Sequence, residues 1–442
     1  MQHLPLRAAA AGVSVLHRRG MMSSSKKKVV VGMSGGVDSS VAAYLLHQDK
    51  SLEVHGLYMN NWDCSDEEGQ ATCPADMEYE SVRQVCRDIG ISCSRVDFVQ
   101  TYWNNVFAPC LDEYAQGFTP NPDVLCNREI KFDAFANHAK DIGADFIATG
   151  HYAQLLPIPS SALPDSPSNG NGVLGLFAAA DSNKDQTYFL SHVSLAAFQK
   201  VRFPLGAHTK PQVRQIASAA KLSTALAKES MGICFIGKRP FGTFLAQYVP
   251  PRKGHFVSVE SNAVMHEHDG FSSYTIGQGA KVSGQSIKWF VVGKRDEDAA
   301  VLIAPGTHHP ALFADHTYVD ASAFNWLVPP HQIPSGFADN GTTTFRCFYR
   351  ARYRQPLAAC TVTIAHDLDA TSLHPMRQTL PTSSTFLKVE FDIPQRGLAP
   401  GQSLVLYRDD GLCFGGGAIY CAGPSYWEMQ KPLPSPLYDW RS

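Results

Sequence analysis

Val29-Val30-Val31-Gly32-Met33-Ser34-Gly35-Gly36-Val37-Asp38-Ser39-Ser40 sits near the start of a 442-residue chain and sets the reading of all that follows. Three consecutive β-branched valines describe a buried strand, and the glycines after them describe a tight turn. Val41, Tyr44 and Leu45 then recur at helical spacing. A strand that runs through such a turn into a helix aims backbone N–H groups and the positive helix end at one point, which suits a phosphate. A Walker A loop would place a lysine before the hydroxyl residue. Here Asp38-Ser39-Ser40 occupies that place instead.

From Lys28 to about Phe235, apolar runs alternate with amphipathic ones. Val54–Met59 and Phe146–Thr149 read as strands, Ser81–Ile89 and Lys131–Ile142 as helices. This alternation predicts an α/β fold, a parallel sheet with helices on both faces. Ligands of such sheets lie beyond the carboxyl ends of the strands. The glycine turn, Met59 and Gly150-His151 all fall on that edge. Residues 156–172, rich in Pro, Ser, Gly and Asn, read as a surface loop. After Gly237 short strand candidates separated by Pro and Gly take over. The expected division is a leader over 1–28, a phosphate-binding domain over 29–237, a small central domain over 238–305, a β-barrel over 306–425 and a loose tail over 426–442.

Composition bounds the function classes. The chain is 44% hydrophobic and 18% charged, ordinary for a protein with real cores, and no run of about 18 apolar residues suggests a membrane span. Eleven cysteines are scattered with no C-x-x-C pair, which argues against a zinc ribbon or a common iron–sulfur ligand set. No acidic residue precedes Asp38, whereas Arg7, Arg18, Arg19, Lys26, Lys27 and Lys28 lie among alanines and serines. Such a leader resembles a mitochondrial transit peptide, and the expected location is mitochondrial. Without those six cations, 32 basic residues face 40 acidic ones. Any RNA binding must then come from a local patch.

Three further segments carry chemistry. Asn121-Pro122-Asp123-Val124-Leu125-Cys126-Asn127-Arg128 has a helix cap at Asn121 and proline at the first helical position. Asp123 and Cys126 share a face, and a thiol near a helix N-terminus with Arg128 nearby is expected to have a lowered pKa. Gly232-Ile233-Cys234-Phe235-Ile236-Gly237 reads alone as a core strand; beside Cys126, Cys234 could pass sulfur and close a disulfide. In Phe345–Arg354 a strand would put Arg346, Arg350, Arg352 and Arg354 on one face, an expected phosphate-binding stripe.

The Ser-Gly-Gly-x-Asp-Ser turn resembles the signature of the PP-loop superfamily, whose members cut ATP between the α and β phosphates. With NPDVLCN followed by REIKF, ATGHY, DSNKDQTYFL, GICFIG, RYRQ and PGQS, the chain from about Val29 to Gly423 resembles the tRNA-specific 2-thiouridylase family, and the leader suggests its mitochondrial form. The resemblance implies that Gly32, Met33, Ser34, Gly35, Gly36, Val37, Asp38 and Ser39 hold ATP, with Met59 and Gly150 touching the nucleotide. It implies that Asn121, Pro122 and Asp123 meet the target base, and that Lys184, Asp185, Gln186, Arg352 and Tyr353 contact tRNA. Cys126 would be the nucleophile, Cys234 the persulfide carrier and Asp123 an acid–base group. ATP and Mg²⁺ are the implied cofactors; no protein-held metal site is expected. The implied partners are wobble-uridine tRNA and a cysteine desulfurase or sulfur-relay protein, with a monomer as the acting unit. Two rivals stand beside this reading: another PP-loop ligase, which would need neither cysteine, and a nucleotide-gated RNA-binding protein, which would release no pyrophosphate.

Overall fold

The computed structural model describes residues 26–63, 74–158, 173–228, 241–328, 344–366, 368, 385–435 and 437. Strands Ser92–Asp97, Leu52–Asn60, Lys27–Met33, Phe146–Ala148 and Val201–Arg202 form one sheet in that spatial order, every neighbouring pair parallel. Strand order reverses direction beside Lys27–Met33. The crevice between this strand and Phe146–Ala148 is therefore the switch point at which α/β sheets bind ligands.

The valine run explains why this strand is central. Val29, Val30 and Val31 have no exposed surface. Val30 faces one core with Ile130 and Phe135, while Val29 and Val31 face another with Val41, Val82 and Val85. Alternating side chains thus feed both layers of helices, each buried valine contributing about 1.5–3 kcal/mol.

The expected helices are present with longer bounds. Ser81–Ile89 is the second half of Pro74–Ile89. Lys131–Ile142 is the end of a run made of Pro122–Leu125, a π-helical stretch Cys126–Ala134 and Phe135–Asp141. A second composite run, Val99–Tyr102, π-helical Trp103–Phe107 and Ala108–Ala115, has no counterpart in the sequence reading. Pro109 would clash with the carbonyl of Asn105 in regular winding, and the wider turn there lets the chain continue. Of the predicted 156–172 loop, the flanks instead form a hairpin, Gln154–Pro157 with Leu174–Phe177, and the rest lies outside the described residues.

The central segment forms a five-stranded sheet over its own core of Phe256, Phe271, Trp289, Val291, Val301 and Ile303. Beyond it, Phe313–Asp320, Thr385–Arg396, Ala358–His366, Thr344–Arg350, Ser403–Tyr407 and Cys413–Ala422 pair in sequence around a barrel. Pairing of Phe313–Asp320 with Cys413–Ala422 closes it and removes its free edges. The barrel packs on the first domain, because Val405, Tyr407 and Cys413 belong to the same apolar cluster as Val30 and Cys126. The predicted loose tail is tied down where it begins: Tyr426 donates its N–H to Phe313 O at 3.0 Å and Trp427 lies against His309.

Candidate active site

The glycine turn is built by its own hydroxyls. Ser34 N–H donates to Ser39 Oγ at 3.2 Å, and Ser40 Oγ donates to Gly36 O at 2.8 Å. Gly35 adopts a left-handed φ of 74°, where a side chain would be strained. The turn leads into helix Val37–Gln48, whose first N–H groups lack intrahelical partners. Gly150 closes the opposite wall; a Cβ there would stand 2.8 Å from Ser39 N, so only glycine permits this approach.

Between them opens a cavity of about 200 Å³. Of the expected nucleotide residues, Gly32, Met33, Ser34, Asp38, Ser39, Met59 and Gly150 line it, while Gly35, Gly36 and Val37 form the turn behind. Gln186, expected to meet RNA, also lines it, with His151, expected on the ligand edge of the sheet, and with Lys131 and Thr149, to which the sequence reading gave no role.

Asp38 of the loop meets a lysine in space. Lys210, on helix Lys210–Ala219, donates to both oxygens of Asp38 at 2.7 Å. Tyr152 adds its hydroxyl at 2.8 Å. Nothing in the spacing of Asp38 and Lys210 signals this contact; only the Thr209 cap and Pro211 mark that a helix begins there. His151 is not a second cation. It is buried beside Phe132 and Phe203, with Nδ1 2.7 Å from Thr149 Oγ1, and desolvation holds its pKa well below the usual imidazole range.

The cysteine helix forms the neighbouring wall. Asn121 caps it as expected, its Oδ1 accepting the Asp123 N–H at 3.1 Å. Asn127 ties it to Thr187–Leu190 by donating to Phe189 O at 3.2 Å. The expected lowering of the Cys126 pKa is not found. Cys126 is 4% exposed, and burial pushes its thiol up; Lys131 pulls it down and Asp123 raises it further. The cation acting on Cys126 is Lys131, not Arg128, which pairs with Glu129 at 2.6 Å. Burial likewise raises the Asp123 carboxyl, and Lys131 lowers it. A carboxyl raised in this way holds its proton more readily than a free one, which suits a proton-transfer group. Cys234 and its Gly232–Gly237 run lie outside the described residues.

The expected RNA residues divide. Asp185 is 1% exposed, and its carboxylate accepts from Ala179 N, Thr187 N and Thr187 Oγ1 at 2.8–3.3 Å and from Arg350. Its side chain is a buried hub, not an RNA contact. Lys184 belongs to the turn begun by Asp181, and Gln186 is fixed on Tyr152 by two backbone-directed bonds. Arg352 donates to Arg396 O and Gly397 O, and Tyr353 packs on Phe189 with ring centres 4.5 Å apart.

The arginine stripe is corrected. The strand ends at Arg350, so Arg352 and Arg354 leave its face. Arg346 is paired with Asp392, and Arg350 is buried under the first domain. The alternation was right for Arg346 and Arg350, but docking of the barrel covers one of them and a carboxylate across the strands occupies the other.

Among the described residues there is no cluster of three or more metal-binding side chains, and no helix long and apolar enough to cross a membrane. Comparison with known proteins accords with the geometry. Residues 27–238 match the tRNA methyl transferase HUP domain, 242–305 the tRNA methyl transferase PRC-barrel domain and 371–419 the aminomethyltransferase beta-barrel domain. A tRNA-specific 2-thiouridylase MnmA from Staphylococcus haemolyticus is 43% identical over 90% of this chain and 96% of its own length. One from Protochlamydia amoebophila is 41% identical over 94% of this chain and its whole length. Among solved structures, the U34-tRNA thiolase NcsA from Methanococcus maripaludis aligns with 45% of this chain and 58% of its own at 20% identity, with a TM-score of 0.28, too low to bear on the fold. Matched along nearly its entire length to relatives above 40% identity, the chain belongs to the tRNA-specific 2-thiouridylase family.

Proposed function

We propose that this protein is an ATP-dependent tRNA 2-sulfurtransferase that converts the wobble uridine, position 34, of tRNAs for Lys, Glu and Gln into 2-thiouridine. The observation that carries the reading is adjacency: a glycine-turn cavity fit for phosphates shares a wall with the helix bearing Asp123 and Cys126. Carbonyl O2 of uridine is a poor leaving group. In the proposed reaction O2 attacks the α-phosphorus of ATP, the bond to the β-phosphate oxygen breaks, and pyrophosphate leaves. The turn and helix N–H groups would take up the charge that develops on the phosphates.

Sulfur then arrives as a persulfide on Cys234. In one route its terminal sulfur attacks C2 directly, AMP leaves, and Cys126 attacks the Cys234 sulfur to release the thiocarbonyl product. In the other, Cys126 thiolate attacks the Cys234 sulfur first, a disulfide forms, and the released hydrosulfide displaces AMP from C2. Both leave a Cys126–Cys234 disulfide that an external thiol must reduce. Asp123 would exchange the protons. Asn121 and Pro122 would face the target base, with Lys184, Gln186, Arg352 and Tyr353 on the tRNA.

Mg²⁺ is the expected companion of ATP. It prefers phosphate oxygens, waters and one or two carboxylates. Asp38, the one carboxylate among the cavity-lining residues, is engaged by Lys210 and Tyr152. A dedicated protein site for the ion does not fit these residues. The reading also includes a mitochondrial destination given by the basic leader, action as a monomer, and sulfur supply by a desulfurase or relay protein.

Nucleoside mass spectrometry of unmodified tRNA-Lys incubated with the protein, Mg-ATP and a persulfide source tests the proposal. Replacement of oxygen by sulfur on uridine 34, lost in Cys126→Ser and Cys234→Ser, is the expected result. AMP production that survives both substitutions would point to a PP-loop ligase, and tRNA binding without pyrophosphate to a binding protein.

A further inference from the structure

The cavity holds a cation that the reaction so far leaves unused. Lys131 lines the cavity, and among the described residues it has no salt bridge or side-chain hydrogen bond that would neutralise its ammonium group. Lys210, by contrast, is spent on Asp38. Helix geometry explains how Lys131 reaches the site. It follows Cys126 by five residues, and at 3.6 residues per turn position i+5 lies far round the cylinder from position i. Residues Cys126–Ala134 are wound as a π-helix, with Phe135 N–H donating to Ile130 O five residues back. That winding brings i+5 back toward the face of i. Asp123, Cys126 and Lys131 therefore share one side, and the charge of Lys131 acts on Asp123, Cys126 and His151 together.

We infer that Lys131 is a catalytic residue common to both halves of the reaction, its ammonium group bonding the α-phosphate during adenylation and then stabilising the Cys126 thiolate. The inference rests on the thiouridylase reading. In the first step, negative charge accumulates on the non-bridging α-phosphate oxygens and the departing pyrophosphate; a fixed cation at a partly closed site lowers that barrier. In the second, the thiol must lose its proton in a setting where burial opposes ionisation, and a nearby positive charge offsets that cost. One side chain on the shared wall serves both, because adenylated uridine must present C2 to sulfur where its O2 met phosphorus.

The test compares full-length wild type, Lys131→Met and Lys131→Arg. Three quantities are read: tRNA-dependent pyrophosphate release, ATP affinity by equilibrium binding, and the rate at which methyl methanethiosulfonate modifies Cys126 at pH 7, followed on its peptide by mass spectrometry. For Lys131→Met, pyrophosphate release should fall by about 100-fold or more while ATP affinity changes by only a few fold, the pattern of a transition-state contact. Cys126 modification should slow by about tenfold. Lys131→Arg, keeping the charge, should recover most of both rates and the wild-type melting temperature. Met-variant pyrophosphate release within about threefold of wild type, or unchanged Cys126 modification, would overturn the inference. Wild-type protein that makes neither pyrophosphate nor 2-thiouridine would instead sink the parent reading, whatever the variants do.

Discussion

Removing the Arg350 guanidinium by Arg350→Met leaves the Asp185 carboxylate charged, 1% exposed and without its only cationic hydrogen-bond partner among the described residues. Breaking a buried pair from one side costs about 3–5 kcal/mol. Three neutral donors remain on Asp185, from Ala179 N, Thr187 N and Thr187 Oγ1, so the low end, about 3 kcal/mol, is the reasoned value. The pair joins the first domain to the barrel, beside Tyr188 donating to Ser403 O at 3.1 Å. The cost should therefore appear as local opening. By hydrogen exchange, amides in Thr187–Leu190 and Ser403–Tyr407 should exchange roughly 100-fold faster, at about 1.4 kcal/mol per decade. Asp185→Asn added to Arg350→Met should return part of that protection by removing the stranded charge. Were Arg350 a phosphate ligand, its loss would leave exchange unchanged and lower the salt dependence of tRNA binding by about one unit of slope. That outcome, or a double variant no better than the single one, would refute the reasoning.

Gly150→Ala forces a methyl group to within 2.8 Å of Ser39 N and should cost about 1–3 kcal/mol while displacing the phosphate turn; undiminished ATP affinity would contradict it. Lys210→Met leaves Asp38 facing the triphosphate with only the Tyr152 hydroxyl among its hydrogen bonds described above, and ATP binding should weaken on the order of tenfold by isothermal titration. Burial pushes the Lys294 ammonium down to about 7, where it donates to Gly117 O at 2.8 Å across the first and central domains. An unfolded lysine binds its proton up to about pH 10.4, so between pH 7 and that value the unfolded chain holds more protons and stability rises with pH. Denaturation midpoints measured from pH 7 to 10 should climb, and Lys294→Met should flatten the climb.

The first strand and its turn were legible because their chemistry is local: β-branched residues, glycines and a helix start lie within twelve positions. Asn121-Pro122 announced a helix for the same reason, and its cap bond is present. What could not be read depends on distance or winding. Lys210 meets Asp38 across 172 positions, a contact made by tertiary packing alone. Arg350 alternates as a surface residue should, yet the docked first domain turns its end of the face into interior. The Cys126 thiol was expected to be acidic from its helix position, but desolvation outweighs the nearby positive charge. Cys126–Ala134 reads simply as helix, since no residue pattern distinguishes i→i+5 from i→i+4 bonding.

That winding gives the helix the behaviour of a gear with one extra tooth. It brings Lys131 to the cavity on the side of Asp123 and Cys126, while downstream Phe135 and Ala139 stay locked against the sheet. Each residue in regular helix turns the chain by about 100°. Winding the same nine residues, Cys126–Ala134, as ordinary helix would over-rotate the chain and swing the cysteine end out of phase with the anchored end. This stretch should therefore tolerate exchange of its solvent-facing side chains, Arg128 and Asp133 among them, as long as its wide winding is kept.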